Sequence, residues 1–350
     1  MIGVAVIGAG IGAQHLAAYA MMPDLYAMRL IVDRDVARAT PLAQTYGTPA
    51  AADISAALQD PSIDVIDICL PPQLHVPVTL QALAAGKHVI CEKPLATSLA
   101  DAHTVQKAAK QAGKHVFPVF QYRFGQAFSD LQTLIDAGLA GRPKAASLET
   151  HWARDADYYA NGWRGTWATE CGGAILCHAI HVHDLLAHFF GPISAVTAHV
   201  STLINPIETE DTAAVTFRMQ NGALATSSVC LGAAQDETRM RLIFEKLTAT
   251  SGTTPYNPGA GGWRFVARDP SDQPAIDAAL AAADAVPSGF EGFLKSVATT
   301  LKTGAPAAVD LADGIASVEL VTAIYHAART DRSVALPLSS THPLTKGWHP

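Results

Sequence analysis

Cysteine is scarce in this chain of 350 residues: Cys69, Cys91, Cys171, Cys177 and Cys230 are too few and too scattered for a disulfide scaffold. A reducing compartment suits them, and the expected location is cytoplasmic. Charge is scarce too, at 16% of residues, with a formal net charge of −7 and no run of lysines or arginines. Nothing here could follow a phosphate backbone or an anionic bilayer, so no nucleic acid and no membrane is expected as a partner. No apolar run is long enough to span a bilayer, and no basic segment or small-residue cleavage site flanks the first strand, so neither an anchor nor a secretory signal is expected. What the chain does have is 49% hydrophobic residues, enough for substantial cores, at a length that suggests two domains.

The stretch that organises the rest is AAGKHVICEKPL, residues 84–95, where a short apolar strand ends on Glu92, Lys93 and Pro94. Ligands of open α/β sheets bind outside the carboxyl ends of the strands, and an acid beside an amine there reads as a chemical site. Pro94 fixes its own φ and restricts Lys93 to extended backbone, so the amine is aimed. The plain alternative is a strand end with an incidental surface ion pair.

Upstream, residues 2–7 form a β-branched apolar run, followed at once by Gly8-Ala9-Gly10-Ile11-Gly12-Ala13 and a helical pattern. Strand, glycine turn and helix stand in the order that dinucleotide binding needs. Gly8 permits the turn, Gly10 lets the backbone approach a pyrophosphate, and Ala13 stands where a third glycine would keep helix and strand close. The pyrophosphate would sit on the amides at the helix start, at Ile11 and Gly12. Asp33 ends the next strand, about twenty residues on, where a carboxylate meets the adenosine ribose and favours NAD. Arg34 keeps NADP open as the alternative, since a guanidinium there could hold a 2′-phosphate. Asp33-Arg34-Asp35 could also be no more than a solvated turn. Strands at 65–70, 87–91 and 116–121 then alternate with helices at 75–85 and 99–113, which implies a parallel, doubly wound sheet.

After Gln121-Tyr122-Arg123-Phe124 the texture changes. A helix over 127–137 leads to candidate strands at 145–152, 193–202, 211–219, 223–230 and 240–248, an α+β pattern with one large, mainly antiparallel sheet. The loop carrying Tyr158, Trp163 and Arg164 is dense in aromatic and charged residues. Ring faces pack on the apolar faces of sugars and guanidinium groups fork to hydroxyls, although the tryptophans could merely anchor the loop. A glycine-led helix follows over 172–190. At 3.6 residues per turn Cys177, His181 and Asp184 share one stripe, His178 shares part of that edge, and His183 and His188 fall inside a core helix. A cysteine and several histidines on one helix invite a metal reading, but the spacing supplies too few ligands, and no metal is expected.

The glycine turn, Asp33-Arg34, LPPQLHVP at 70–77 and above all AGKHVICEKPLA resemble the Gfo/Idh/MocA family of NAD(P)-dependent oxidoreductases, which act largely on sugars, polyols and cyclitols. Gly172-Gly173 with His181 and Asp184 is similar to a family block, and residues 309–337 are similar to its closing helix and strand. The resemblance implies an N-terminal Rossmann domain over 1–123 and a substrate-binding and oligomerisation domain over 124–350, with the 308–336 helix and strand packing back near the first. It implies NAD held by the glycine turn, Asp33, Leu70, Pro71, Pro72, His75, Glu92, Lys93 and Gln121. A carbohydrate-like substrate would meet Arg123, Tyr158, Trp163, Arg164, Cys177, His178 and Asp184, and the protein would be a homodimer or homotetramer. Lys93 and His181 are the expected catalytic pair, with His181 taking the proton. Family members commonly carry Asp at the position of Cys177, so the usual proton partner of the lysine is missing. The expected reaction is hydride transfer between the nicotinamide and a secondary hydroxyl or ketone of a sugar, sugar acid or cyclitol. The same pocket would also serve an NAD-dependent glycosidase or lyase working by transient sugar oxidation, or a non-catalytic NAD-dependent sensor.

Overall fold

The run Ile2–Ile7 (β1) is buried at every position, as a strand must be when helices cover both faces of its sheet. In the computed structural model, which describes residues 1–350, it lies inside a six-stranded sheet. The elements that follow are α1 (Gly12–Ala20), β2 (Tyr26–Val32), α2 (Val36–Tyr46), β3 (Ala50–Ala51), α3 (Ser55–Gln59), β4 (Val65–Ile68), α4 (His75–Ala84), β5 (His88–Cys91), α5 (Leu99–Ala112) and β6 (Val116–Pro118). Every pairing is parallel, in the order β3-β2-β1-β4-β5-β6. The order reverses between β1 and β4, and at such a switch point the loops leaving the carboxyl ends part to form a crevice. The glycine turn leaves β1, residues 69–74 leave β4 and Glu92 leaves β5, so these three stretches share one edge. The lysine of AGKHV is structural: buried Lys87 donates to the carbonyls of Asp60 (2.7 Å) and Ile63 (2.8 Å), anchoring the entry to β5.

From residue 121 the chain forms α6 (Gln126–Asp136), β7 (Pro143–Ala153), α7 (Ala156–Tyr159), α8 (Ile180–Phe190), β8 (Ile193–Ser201), β9 (Thr212–Met219), β10 (Leu224–Cys230), β11 (Gly232–Phe244), β12 (Leu247–Thr250), β13 (Arg264–Ala267) and α9 (Gln273–Ala281). After α10 (Gly289–Thr303) and α11 (Leu311–Thr330), β14 (Val334–Ala335) completes a sheet of eight strands ordered β13-β12-β11-β7-β10-β9-β8-β14. β7 and β10 run parallel and the other pairs are antiparallel. Burial alternates residue by residue along β9 and β10, so one face is covered and the other open. The single strand expected over 240–248 is in fact two. β11 reaches back to Gly232, and the chain turns at Glu245 and Lys246, whose amides bond the carbonyls of Arg142 (2.8 Å) and Ala140 (2.9 Å). Apolar residues on both sides of that turn hide it from an alternation pattern.

The chain divides into two units, Met1–Phe120 with Phe290–Val318, and Gln121–Gly289 with Glu319–Pro350. Residues 290–318, expected within the second domain with those from 308 on packing back near the first, fall in the first unit. There the Tyr26 hydroxyl donates to the Leu294 carbonyl at 2.6 Å, and a Cβ on Gly314 would come within 2.9 Å of Leu95 and Pro118. The closing strand β14 pairs with β8, which would otherwise end the second sheet. No helix is long and apolar enough to cross a membrane.

Candidate active site

The glycine turn is built by three different constraints. Gly8 has φ +107°, and a Cβ there would lie 2.3 Å from the Cys69 carbonyl oxygen, so only glycine fits. A Cβ on Gly10 would meet nothing within 4 Å, so no protein packing demands its glycine, and the bare backbone is open to a ligand. Close approach of helix and strand falls on Gly12, whose Cβ would press within 2.9 Å of Val6. No side chain caps the start of α1; the Ala13 and Gln14 amides bond the carbonyls of Gly10 (3.1 Å) and Ile11 (2.9 Å), which leaves the amides ahead of Ala13 for an anion. The Asp33 carboxylate is fixed between β2 and this turn, accepting from the amides of Ala9 (2.9 Å) and Asp35 (2.8 Å). Arg34 beside it is exposed.

Beyond β4, Gln73 keeps its side-chain oxygen buried without a protein partner, an acceptor that a ligand donor would satisfy. Gln73 was not foreseen as a site residue, although it lies inside the LPPQLHVP run. Bare glycine backbone, uncapped helix start, placed carboxylate and orphaned acceptor together fit an NAD molecule. His75 takes a different part: its ring nitrogens lie 2.6 Å from the Pro94 carbonyl and 2.7 Å from that of Leu70. It staples the turn after β4 to the turn after β5, and burial holds it below its ordinary pKa. Glu92 is buried, and its Oε2 accepts from the Lys93 amide at 3.1 Å. Burial pushes its carboxyl up, but His15 and Lys93 more than offset this and keep it below the usual range.

In the second unit, Gly172 and Gly173 are glycines for want of room: a Cβ would lie 2.6 Å from the Tyr325 hydroxyl oxygen or 1.9 Å from the Glu210 carbonyl oxygen. Residues Ile175–Ala179 then wind as a π-helix before α8 begins, a departure that concentrates at functional sites. The 3.6-residue stripe expected from Cys177 to Asp184 therefore does not hold at its start, and the Cys177 thiol donates to the Gly172 carbonyl at 3.6 Å. His181 stacks on Tyr122, ring centroids 4.2 Å apart and 15° from parallel. Arg123 forks onto Asp184 through Nε (2.8 Å) and Nη2 (2.6 Å), both side chains nearly buried, so these two expected substrate ligands are bound to each other. His183 is a core histidine, its Nε2 2.9 Å from the Ser227 hydroxyl oxygen and its pKa pushed by burial down to about 3. His188, expected inside, is exposed near the end of α8.

Glu210 was not foreseen. Its buried carboxylate accepts from the amides of Gly173 (3.1 Å) and Ile175 (2.9 Å) and from the Tyr325 hydroxyl (2.9 Å), closing the start of the helical segment. Burial raises its pKa from 4.5 to about 7 against those donors. A carboxyl raised on folding binds an extra proton in the native state, so stability should fall by roughly 3 kcal/mol as pH rises through that window. Denaturant titrations of Glu210→Gln should show that slope flattened between pH 5 and 7 (about the span of the shift); an unchanged slope would contradict it.

The aromatic loop gathers into a box. The Tyr158 hydroxyl lies 3.1 Å from His178 Nε2 and accepts from Arg164, whose guanidinium sits 4.2 Å from both the Tyr158 and Trp163 ring centres. Arg154, also unforeseen, lies over Trp152 (4.9 Å) and Tyr158 (4.8 Å). Each arginine has an acid: Glu170 for Arg164 at 3.4 Å and Asp236 for Arg154 at 3.1 Å. Trp167 is an anchor, its indole N–H donating to the Glu208 carbonyl at 3.0 Å.

A doubly wound sheet with a glycine turn, a ribose-side carboxylate and an acid–amine strand end, followed by a mixed open sheet, defines a dinucleotide-binding oxidoreductase. Residues 2–120 match the oxidoreductase family NAD-binding Rossmann fold, and residues 128–250 match the GFO/IDH/MocA C-terminal domain. The chain belongs to the GFO/IDH/MocA oxidoreductase family. It is 29% identical over 244 residues to an uncharacterized oxidoreductase of Synechocystis sp., 62% of each chain. To levoglucosan dehydrogenase of Pseudarthrobacter phenanthrenivorans it is 28% identical over 288 residues, 73% of each. Among solved structures, the WlbA dehydrogenase from Bordetella pertussis in complex with NADH and UDP-GlcNAcA is similar with a TM-score of 0.85 and 29% identity, over 97% of this chain and 98% of that one.

Proposed function

We propose that this protein is an NAD-dependent dehydrogenase that interconverts a secondary alcohol and a ketone on an uncharged sugar or cyclitol. The observation that carries the reading is the shared carboxyl edge of the six-stranded sheet, where the glycine turn, Asp33, the Leu70–Pro72 turn and Glu92-Lys93 emerge side by side. Bound NAD supplies the hydride acceptor. Lys93 polarises the substrate oxygen with its ammonium group, and His181 takes the hydroxyl proton, an imidazole being suited to proton transfer near neutral pH. Tyr122 holds the His181 ring from one face.

The preference for an uncharged substrate rests on charge balance. Arg123, Arg154 and Arg164 each face a carboxylate within 3.4 Å, so the box offers ring faces and hydrogen bonds more than uncompensated positive charge. Relatives act on such compounds in name, levoglucosan among them. The test is NAD reduction with a panel of inositols, aldoses, anhydrosugars and uronic acids. Turnover of neutral members above uronic acids is expected, and turnover of uronic acids alone would sink the substrate class.

A further inference from the structure

Beneath the crevice of the first unit lies a buried group of side chains with no part in the steps above. His15 on α1 is wholly buried, its Nδ1 2.8 Å from Asp67 Oδ2 on β4 and its Nε2 3.2 Å from Glu92 Oε1 after β5. Asp67, alone among the apolar residues of β4, also accepts from the Tyr19 hydroxyl at 2.8 Å and the Cys69 thiol at 3.6 Å. Ionised carboxylates only accept, so an imidazole between two of them must donate from both nitrogens. The Phe290 ring covers it, centroids 4.5 Å apart. Burial works against a charge on His15, but Asp67 and Cys69 outweigh it and raise its pKa well above the ordinary value. His15, Asp67 and Cys69 stand within 4.8 Å of one another, a spacing that would suit metal ligands, yet their donors and acceptors are already matched.

One ring therefore joins the glycine-turn helix, β4 and the strand end that carries Lys93. We propose that His15 is a positioning residue for the reaction: by bridging Asp67 and Glu92 it locks the Glu92 carboxylate onto the Lys93 amide and fixes the backbone from which the amine reaches its substrate. Removing the imidazole leaves two buried carboxylates facing each other without a cation, and Glu92 must turn away or take up a proton. The cofactor cradle and the lysine would then move independently. The inference rests on Lys93 being catalytic.

Full-length His15→Gln, Asp67→Asn and Lys93→Met are compared with the wild type, using NAD and the panel compound of highest turnover. His15→Gln should lower kcat about 100-fold, the effect of displacing a reacting group by a remote change. KM and the NADH dissociation constant should stay within about threefold, because ground-state binding is not the function lost. Asp67→Asn touches neither Glu92 nor Lys93; the alkaline fall of its kcat profile should lie at lower pH than that of the wild type, because His15 has lost the anion that holds its proton. A merely structural role would lower kcat and thermal stability together at every pH. If His15→Gln does not fold, the Asp67→Asn profile decides. Wild-type kcat in folded His15→Gln, or a wild-type pH profile in Asp67→Asn, overturns the inference while an inactive Lys93→Met leaves the catalytic reading standing. An active Lys93→Met overturns both.

Discussion

Replacing Lys93 by methionine is expected to lower kcat by about 10²–10³-fold, the usual worth of a positioned group that stabilises charge on the reacting oxygen. Methionine keeps the length and most of the apolar stem and removes only the charge and the donors. Glu92 bonds the Lys93 backbone amide, which the substitution leaves in place, and Asp33 and the glycine turn are untouched. NADH affinity, read by fluorescence titration, should therefore stay close to that of the wild type. A variant that binds NADH normally and turns over at the wild-type rate would show that the amine is a strand-end ornament after all.

Asp184→Leu is expected to destabilise the protein by about 3–5 kcal/mol, the cost of leaving a buried charge without its partner. The Arg123 side chain is only 7% exposed and its fork onto Asp184 is bidentate. The double variant Arg123→Met with Asp184→Leu should recover most of that loss in denaturant titrations, since an apolar pair can replace a buried ion pair at little cost. Asp184→Leu that keeps its stability but loses substrate affinity would mean that Asp184 serves the substrate and not Arg123.

Much of the first unit was legible because its constraints are local. Gly8 needs a positive φ beside the Cys69 carbonyl, Asp33 ends a strand, and Lys93 follows an apolar run into a proline; each is written in neighbouring residues. Gly12 shows the limit of this, since its contact with Val6 is set by how helix and strand cross and looks the same in sequence as Ala13. His15, Asp67 and Glu92 were harder. A histidine in a helix and an aspartate in a strand carry no common signal until the sheet order brings β4 beside both β1 and β5. The only hint was a charged residue inside a fully buried strand, which needs a partner.

The second unit was less legible for the same reason. The stripe from Cys177 to Asp184 assumed a regular helix, and the amides of Gly173 and Ile175 at the start of the π-turn are bonded by Glu210, which lies beyond β8 in the chain. Arg154 and its acid Asp236 are neighbours only because β7 pairs with β11. The resemblance to a known family supplied Lys93 and His181 as a pair, and the fold now gives each its own setting: Glu92 and His15 behind the first, Tyr122 against the second.

The most direct test of the central claim is a stoichiometric one: moles of reduced nicotinamide formed per mole of ketone product, with wild-type enzyme, added NAD and one neutral sugar or cyclitol. A net dehydrogenase predicts a ratio of one to one. Product formed by cleavage of the sugar with no net change in the absorbance of reduced nicotinamide would contradict it.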